Sequence, residues 1–201
     1  MIAIIDYDAG NIKSVEKALQ FLGAEVVVTR DPEVLLAADK VILPGVGAFG
    51  DAMARLEEYG LVTVIKQIVA KGTPFMGICL GLQLLFDSSE EAPGVNGLGI
   101  LPGKIVRFSD EFGLKIPQIG WNALKFTKDC PVFKGIEDGE FVYFVHSYYL
   151  QADNEADVAA TTEYGNHVHA AVSRDNVYAC QFHPEKSSSV GLKILSNFIN
   201  L

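Results

Sequence analysis

Residues 72–86 read Gly72-Thr-Pro-Phe-Met-Gly-Ile-Cys-Leu-Gly-Leu-Gln-Leu-Leu-Phe86 and combine a strand, a sharp turn and a helix. The apolar run 74–78 has the length of a buried strand, and the leucines after Cys79 predict a helix over 80–86. A nucleophile between two glycines at a strand-to-helix turn is typical of a nucleophile elbow, here with cysteine in place of serine. Glycines flank such a residue because a Cβ atom there would collide with the strand or the helix. Taken alone, the stretch is equally compatible with a buried cysteine before a core helix.

The turn would also place the N–H of Leu80 and the positive end of the helix beside the Cys79 thiol. Partial positive charge at this position favours a thiolate. It can also stabilise an oxyanion that forms on a substrate.

Composition limits the class of protein. The 201 residues are 49% hydrophobic, carry a net charge of −9 and include three cysteines. This length predicts one domain, residues 1–201, with a sizeable core, and the acidic balance argues against nucleic acid as a partner. The longest apolar runs are too short to cross a bilayer, and Met1 leads directly into an apolar strand, so we expect neither a membrane partner nor a signal peptide. Three cysteines without framework spacing indicate a reducing compartment, and we expect a cytoplasmic location.

The first half of the chain alternates strands with helices. The predicted strands are 2–5, 24–28, 40–43 and 74–78, and the predicted helices are 12–22, 32–38 and 51–71, the last in two pieces that meet near Gly60. In the first helix, Ile12, Val15, Leu19 and Leu22 share one face, and Asn11 is a plausible N-cap. This alternation predicts a parallel sheet with right-handed crossovers.

The second half is richer in strands. Predicted strands are 98–108, 116–126, 140–150, 158–163, 168–172 and 177–182, separated by turns rich in glycine. Residues 186–201 predict a closing helix, with an apolar stripe formed by Val190, Ile194, Leu195 and Phe198. We therefore expect a largely β extension of the sheet.

A glycine-rich loop follows the third predicted strand. In Pro44-Gly-Val-Gly47, the two glycines free the backbone so that the N–H groups of Gly45, Val46 and Gly47 can point at a ligand. The carboxyl ends of parallel strands border the crevice where such sheets bind ligands, so this loop and the elbow should be neighbours. No Gly-Lys-Ser/Thr follows, which argues against a phosphate loop. An ordinary turn is the alternative interpretation.

The second chemical motif is Gln181-Phe-His183-Pro-Glu185. Period-two alternation puts Gln181 and His183 on one face of the strand and turns Cys180 away, so Cys180 is a poor candidate for a second catalytic thiol. Pro184 favours an extended residue before it, which lets the Glu185 carboxylate orient the imidazole. Cysteine, histidine and glutamate together make a nucleophile, a base and an orienting group.

Other candidate residues carry less weight. His167 and His169 would share one strand face, but no third ligand of clear spacing follows, so we predict no metal site. Asp87 and Glu90 belong to an acidic stretch that is typical of a solvated loop. Cys130 lies in a turn where we expect an inert thiol.

The three motifs resemble those of the class I (triad-type) glutamine amidotransferases over essentially the full length of the chain. Those domains carry Pro-Gly-x-Gly, Gly-x-Cys-x-Gly-x-Gln and His-Pro-Glu, which stand here at 44–47, 77–83 and 183–185. The resemblance implies a single-domain α/β, flavodoxin-like fold. It also implies a central, mostly parallel sheet flanked by helices, with a β-rich C-terminal half.

Within the class, the chain is most similar to the glutaminase subunits of imidazole glycerol phosphate synthases, enzymes of histidine biosynthesis. Matching segments stand at 8–12, 43–49, 89–94, 120–122, 143–148 and 182–188. Anthranilate synthase subunits would be expected to carry Ser-Pro-Gly-Pro-Gly and Gly-His-Gln instead. Two small departures from the pattern are Gln118, which stands in place of the usual histidine, and the loop 109–113, but neither touches the triad.

The resemblance implies a mechanism for glutamine hydrolysis to glutamate and ammonia. The Cys79 thiolate would attack the side-chain amide, His183 would move the proton, and Glu185 would orient His183. The oxyanion would be held by the N–H groups of Leu80 and of Gly45, Val46 and Gly47. Substrate contacts are implied for Gln83, Glu91, His146, Ser147 and Tyr148, and no cofactor or metal is implied.

The resemblance further implies a partner, a (β/α)8-barrel cyclase on a separate chain that forms a heterodimer with this one. The cyclase would receive the ammonia and make imidazole glycerol phosphate and AICAR. Asn11, Trp121, Tyr143 and Lys186 would lie near that interface. We also expect the isolated chain to be nearly inactive, because the glycine loop must turn its N–H groups toward the oxyanion.

Alternative functions share parts of this pattern. A cysteine peptidase or related hydrolase would use the elbow and the histidine, but it gives no reason for Gln83 or Glu91. An inactive binding or regulatory subunit would not need an intact Cys79, His183 and Glu185. A glutaminase subunit of another synthase, such as anthranilate synthase, is a third alternative.

Overall fold

Short strands and helices alternate through the first half of the chain in a computed structural model that describes residues 1–201. The strands are β1 (Ile2–Ile5), β2 (Val26–Thr29), β3 (Lys40–Leu43), β4 (Phe75–Ile78), β5 (Ser88–Ser89), β6 (Gly103–Arg107), β7 (Gln118–Ala123), β8 (Lys125–Phe126), β9 (Phe141–His146), β10 (Tyr148–Ala152), β11 (Val158–Tyr164), β12 (Asn166–Arg174) and β13 (Val177–Cys180). The helices are α1 (Ile12–Phe21), α2 (Pro32–Ala37), α3 (Phe49–Glu58), α4 (Leu61–Ala70), α5 (Leu80–Leu84) and α6 (Ser188–Ile199). None of the helices has the length and apolar character needed to cross a membrane.

The central strands run parallel in the order β2-β1-β3-β4-β13, as the βα alternation predicts. Beyond β13 the sheet continues antiparallel through β12, β10 and β6, and β11 and β8 extend it on the side of β12. The chain therefore has the predicted α/β architecture with a β-rich second half.

Side chains of the buried central strands alternate between two apolar cores. In β1, Ala3 and Ile5 pack into the core beneath α2, α3 and α4. Ile2 and Ile4 pack into the core beneath α1 and α6. A strand buried on both faces must be apolar throughout, which explains the run Ile2–Ile5. Each fully buried Ile contributes about 1.5–3 kcal/mol.

Four parallel strands deliver the chemical motifs to one edge of the sheet. The carboxyl ends of β1, β3, β4 and β13 lead into residues 6–11, 44–48, 79 and 181–185, respectively. Since neighbouring parallel strands end at the same edge, segments distant in sequence meet there. The predicted proximity of the glycine loop and the elbow is confirmed by a hydrogen bond from the N–H of Leu80 to the carbonyl of Gly45, at 3.3 Å.

The second half differs from the predicted continuous extension of the sheet. The predicted strand 140–150 breaks at Ser147, so that β9 pairs with β7 in a separate two-stranded sheet and β10 joins β6 in the large one. Alternating burial holds through β9 but fails afterward, because Tyr149 and Leu150 are both buried. These two side chains point to opposite faces of β10, with Tyr149 packing against Phe108 and Leu150 in the core beneath α2, α3 and α4, so β10 is covered on both faces.

Other element ends also differ from the predicted ones, most clearly in α5 and α6. Helix α5 ends at Leu84, and the N–H of Leu98 donates to the carbonyl of Leu84, so residues 98–101 complete the helix end instead of forming a strand. Helix α6 begins at Ser188, because Pro184–Lys186 forms a 3-10 turn. The predicted break at Gly60 is confirmed, since this residue has φ 68° between α3 and α4.

Candidate active site

Cys79 occupies a strained backbone conformation between β4 and α5. Its φ of 54° and ψ of −107° lie in a region that non-glycine residues rarely adopt. Two close approaches explain the flanking glycines: a Cβ atom on Gly77 would lie 2.7 Å from the carbonyl oxygen of Gly81, and one on Gly81 would lie 1.9 Å from that of Leu43. The elbow therefore requires glycine on both sides of the cysteine.

His183 and Glu185 form a buried pair beside the elbow. Glu185 Oε1 lies 2.7 Å from His183 Nδ1, and neither side chain is exposed to solvent. Two backbone contacts with β9 hold this turn: the N–H of His183 donates to the carbonyl of Tyr143 at 2.9 Å, and the Ser187 hydroxyl accepts from the N–H of Tyr143 at 2.9 Å. Ser187 in turn donates to the carbonyl of His183 at 2.6 Å, so the base is fixed to the strand.

The electrostatic environment favours protonated His183. Burial alone would lower the pKa of His183, but hydrogen bonding and charge attraction to Cys79 and Glu185 outweigh it and raise the pKa from 6.5 to about 9. Its buried Nε2 atom has no hydrogen-bond partner in the structure, and Cys79 is the nearby group whose attraction raises the pKa on this side of the ring. The arrangement places a protonated imidazole beside Cys79, with the carboxylate behind the ring.

The glycine loop occupies a closed position against the elbow. The N–H of Leu80, a predicted oxyanion donor, is already bonded to the carbonyl oxygen of Gly45. Tyr7 holds the preceding residue, because its hydroxyl donates to the carbonyl of Pro44 at 2.8 Å. Burial, and then the nearby Cys79, raises the pKa of Tyr7, so this phenol remains a donor. A carbonyl oxygen thus lies where an oxyanion hole requires N–H groups.

A pocket of about 410 Å³ opens over Cys79. All of the predicted substrate residues line it, together with part of the glycine loop: Val46, Gly47, Cys79, Leu80, Gln83, Glu91, His146, Ser147, Tyr148 and Lys186. Glu91 also accepts the N–H of Phe49 at 2.8 Å, which ties the acid to the start of α3. A larger groove of about 780 Å³ runs along residues 126–136 and contains no histidine, so we place the chemistry in the smaller pocket.

A backbone carbonyl fixes the polar groups at the floor of this pocket. The carbonyl oxygen of Tyr148 lies 2.8 Å from His146 Nδ1 and accepts from Gln83 Nε2 at 3.0 Å. Since a carbonyl can only accept, the Nδ1 atom of His146 carries the proton and its Nε2 atom is a bare acceptor. Burial lowers the pKa of His146 to about 4, so the ring is neutral at pH 7. Its Nε2 atom is buried without a partner and is free to accept a hydrogen bond from a ligand.

Asn11 lies beside the triad and does not cap α1 through its side chain. The predicted N-cap hydrogen bond is absent, and Asn11 adopts the left-handed conformation with φ 70°. The side-chain amide instead donates to Glu185 Oε1 at 2.6 Å. A hydrogen bond to a charged carboxylate is stronger than one between neutral groups, so this contact is favoured over capping. The predicted N-cap position of Asn11 is confirmed, since its carbonyl accepts from the N–H of Ser14 at 3.1 Å, but its side chain serves the triad and not the helix.

The other residues predicted near a partner share one side of the molecule. Trp121 and Tyr143 face each other across β7 and β9, with ring centroids 6.0 Å apart in an edge-on arrangement. Trp121 is 47% exposed, and on the same face Ile119 and Phe141 are also exposed. Lys186 is exposed at the rim of the pocket.

Sequence reasoning missed three buried groups at this site. Tyr7 holds the glycine loop, Ser187 holds the histidine turn, and Gln181 places its amide against Cys79 with Nε2 3.7 Å from Sγ. Gln181 and Ser187 lie within four residues of His183, and Tyr7 follows β1, but their polar contacts involve segments that are far apart in sequence. Only the alternation that puts Gln181 on the face of His183 hinted at one of them.

Comparison with known proteins agrees with this fold and site. The model of the class I glutamine amidotransferase family matches residues 3–201. The chain belongs to this family, and the predicted family and enzyme class are confirmed. Among solved structures, a glutamine amidotransferase superposes with a TM-score of 0.77 at 22% identity over the whole of both chains. The structure of PurLQS from Thermotoga maritima gives a TM-score of 0.75 at 22% identity, over 99% of this chain and 97% of the other. These two likenesses concern the fold.

Relatives with higher sequence identity than these two structures are subunits of one kind of enzyme. The imidazole glycerol phosphate synthase subunit HisH of Methanocaldococcus jannaschii is 49% identical over 100% of both chains. The HisH subunit of Bacillus cereus is 52% identical over 98% of this chain and 93% of its own, and that of Thermosynechococcus vestitus is 52% identical over 100% and 96%.

Proposed function

We propose that this chain is the glutaminase subunit of an imidazole glycerol phosphate synthase and supplies ammonia to a separate cyclase in histidine biosynthesis. The observation that carries the proposal is the buried set of Cys79, His183 and Glu185, of which Cys79 lines the 410 Å³ pocket. Full-length identity near 50% to HisH subunits supports the choice of synthase. The three cysteines are free, which supports a reducing, cytoplasmic location.

The Cys79 thiolate attacks the side-chain amide carbon of glutamine and forms a C–S bond. The imidazolium of His183 then donates its proton to the nitrogen that leaves as ammonia, and a thioester remains. Water attacks the thioester while neutral His183 accepts a proton from it, and the C–S bond breaks to return the thiolate and release glutamate. Glu185 holds the ring through Nδ1 throughout both steps.

Glutamine is oriented by groups of both charge types in the same pocket. Glu91 is suited to the α-ammonium group, and the backbone of Ser147 and Tyr148 to the α-carboxylate. His146 adds an uncharged acceptor, because its Nε2 atom carries no proton. This combination explains why an amino acid, and not a simple amide, would be the substrate.

The closed glycine loop supports control of the reaction by the partner. While the Leu80 N–H donates to the carbonyl oxygen of Gly45, it cannot donate to the oxyanion of the substrate. The oxyanion would instead lie near the carbonyl oxygen, which repels it. Rotation of the peptide between Gly45 and Val46 would free the Leu80 N–H and supply a second donor. Loss of one such donor costs about 100- to 1,000-fold in turnover, so we expect stimulation by the partner of at least about 100-fold.

The sheet formed by β7 and β9 offers a docking face for that partner. Ile119, Trp121 and Phe141 are 62%, 47% and 55% exposed, and all three side chains project from the same face. Their neighbour Val145 reaches the pocket rim. Aromatic residues of this kind are enriched in interface centres, and their position beside the pocket would let ammonia pass directly to a barrel cyclase.

The test is ammonia release from glutamine by the chain alone and with a barrel cyclase and its nucleotide ligand. We expect release that depends on both the cyclase and Cys79, and therefore loss in Cys79→Ala. Cys130→Ala is the matched control, because Cys130 lies far from the pocket and burial raises the pKa of its thiol. Equal release with and without cyclase would contradict the closed-loop mechanism, and no release under either condition would contradict the glutaminase proposal.

A further inference from the structure

Gln181 is the one fully buried amide that contacts the nucleophile. It follows β13 and precedes the histidine turn by two residues, and none of its surface is exposed. Its backbone N–H donates to the carbonyl of Ala170 at 2.8 Å, which fixes the residue in the sheet edge. Its side-chain Nε2 atom lies 3.7 Å from the Sγ atom of Cys79, a normal separation for an N–H group that donates to sulfur.

The orientation of this amide follows from a chain of hydrogen bonds that begins at a backbone carbonyl. Gln83 lies 3.0 Å from the carbonyl oxygen of Tyr148, so the Gln83 atom that faces it must be the Nε2 donor. The same Nε2 atom lies 3.0 Å from the side chain of Gln181 and donates its second hydrogen there, so Gln181 presents Oε1 to it. The remaining end of the Gln181 amide, which faces Cys79, is therefore the NH2 group.

Reversing either amide would be costly. If Gln181 were turned, two NH2 groups would face each other in a buried site. If both were turned, the oxygen of Gln83 would face the carbonyl oxygen of Tyr148. Either arrangement leaves buried polar groups opposed and unpaired, at a cost of about 1–3 kcal/mol for each group.

We propose that Gln181 is a catalytic residue that stabilises the Cys79 thiolate by donating an N–H hydrogen bond to its sulfur. His183 is the proton donor beside Cys79 in the proposed mechanism, but it must give its proton to the leaving ammonia. The amide of Gln181 does not titrate, so its donation persists while His183 is neutral. When the thioester breaks and the electron pair returns to sulfur, Gln181 stabilises the charge that forms there.

A consequence follows for Gln83. Both hydrogens of its Nε2 atom are used within the protein, by Tyr148 and by Gln181. Gln83 can therefore meet glutamine only through Oε1, as an acceptor. Gln83 would therefore contact the substrate and also fix the orientation of the Gln181 amide that contacts Cys79.

The inference rests on the proposed role of Cys79 as nucleophile, but its test requires neither turnover nor partner. The rate of Cys79 alkylation by iodoacetamide is measured in the isolated chain from pH 3.5 to 10, with the modified peptide quantified by mass spectrometry. Gln181→Met keeps the size of the side chain and removes the donor. Gln181→Glu keeps the oxygen that Gln83 needs and places a second, charged oxygen against the sulfur.

We expect the pH midpoint of alkylation to rise by about one unit in Gln181→Met, which is the shift that corresponds to a tenfold loss of thiolate stabilisation. We expect a larger rise in Gln181→Glu. Unchanged midpoints in both variants, with thermal unfolding curves that show a folded chain, would assign Gln181 a packing role only and overturn the proposal.

A measurement on the native chain covers the case in which the variants fail to fold. In protein labelled with 15N-glutamine, the side-chain NH2 resonance of Gln181 should move with pH at the midpoint found for Cys79 alkylation. It should lose that dependence once Cys79 is alkylated. A resonance that ignores the state of Cys79 would also overturn the proposal, whatever the outcome of the ammonia-release test.

Discussion

Removing the side chain of Asn11 should slow glutamine hydrolysis even where the partner is saturating. Its amide lies 2.6 Å from Glu185 Oε1, the same oxygen that lies 2.7 Å from His183 Nδ1. The other carboxylate oxygen of Glu185 is buried without a partner, and the side chain has no exposed surface. Asn11 is therefore one of only two groups that hold the orienting carboxylate of the triad.

The size of the effect follows from the kind of bond that is lost. A hydrogen bond to a charged group contributes about 1.5–3 kcal/mol, which corresponds to a factor of roughly 10 to 150 in rate if all of it is expressed in the transition state. Because the bond already exists in the resting enzyme, part of this energy stabilises the ground state as well. We expect kcat to fall by about 10- to 100-fold.

The choice of variants separates the hydrogen bond from the backbone. Asn11 has φ 70°, a left-handed conformation that asparagine and glycine adopt at lower cost than alanine. Asn11→Gly removes the amide without backbone strain, and Asn11→Ala adds the strain. Asn11→Asp places two carboxylates in contact, so its activity should recover as the pH falls and the new carboxyl group becomes a donor.

The assay is glutamate formation at saturating glutamine, titrated with cyclase so that kcat and the affinity for cyclase are measured separately. A loss of cyclase affinity with unchanged kcat in Asn11→Gly would contradict the positioning role. It would leave Asn11 as an interface residue only, which is the role that the family resemblance predicts.

Two further predictions concern stability. Gly81→Ala should lower the free energy of unfolding in urea by at least about 3 kcal/mol, because its Cβ atom would lie 1.9 Å from the backbone oxygen of Leu43, which cannot yield; an unchanged urea midpoint would contradict the described elbow. For His146, the pKa falls from 6.5 in the unfolded chain to about 4 in the folded chain, so the unfolded chain binds a proton first and stability is lost as the pH drops from 6.5 toward 4. The loss amounts to about 2 kcal/mol at pH 5. In His146→Asn, the difference between the free energies of unfolding in urea at pH 7 and at pH 5 should be smaller by that amount. An unchanged difference in the variant would show that another group causes the pH dependence.

The sequence predicts the motifs of the site because each of them is local. An elbow such as residues 77–81 needs glycines at fixed positions, and a fixed spacing holds His183 and Glu185 together, so both are visible in a single chain. Parallel strands then bring these motifs to one edge of the sheet by topology alone.

Contacts between segments distant in sequence are not visible in the same way. Asn11 before a helix fits the pattern of an N-cap, and only the fold shows that Glu185, 174 residues later, competes for its amide. The strand break at Ser147 likewise depends on which partner each half finds, since β9 pairs with β7 and β10 pairs with β6. Local propensity was correct about strand content there and wrong about continuity, because pairing is decided by packing and not by propensity.

The closed loop sets a requirement on how the proposed partner must act. Stimulation by 100-fold corresponds to about 2.7 kcal/mol, whereas the neutral hydrogen bond from Leu80 to Gly45 contributes only about 1 kcal/mol. The remainder would have to come from packing that opening disturbs, and one contact of the loop is with Gly10: the Cγ2 atom of Val46 lies 2.7 Å from the position that a Cβ atom on Gly10 would occupy. Residues 6–11 thus contact the loop through Gly10 and the triad through Asn11. A cyclase that repositions this one segment would act on the oxyanion side and on the base side of the reaction at the same time, and a differential affinity of about 3 kcal/mol for the open loop would be sufficient.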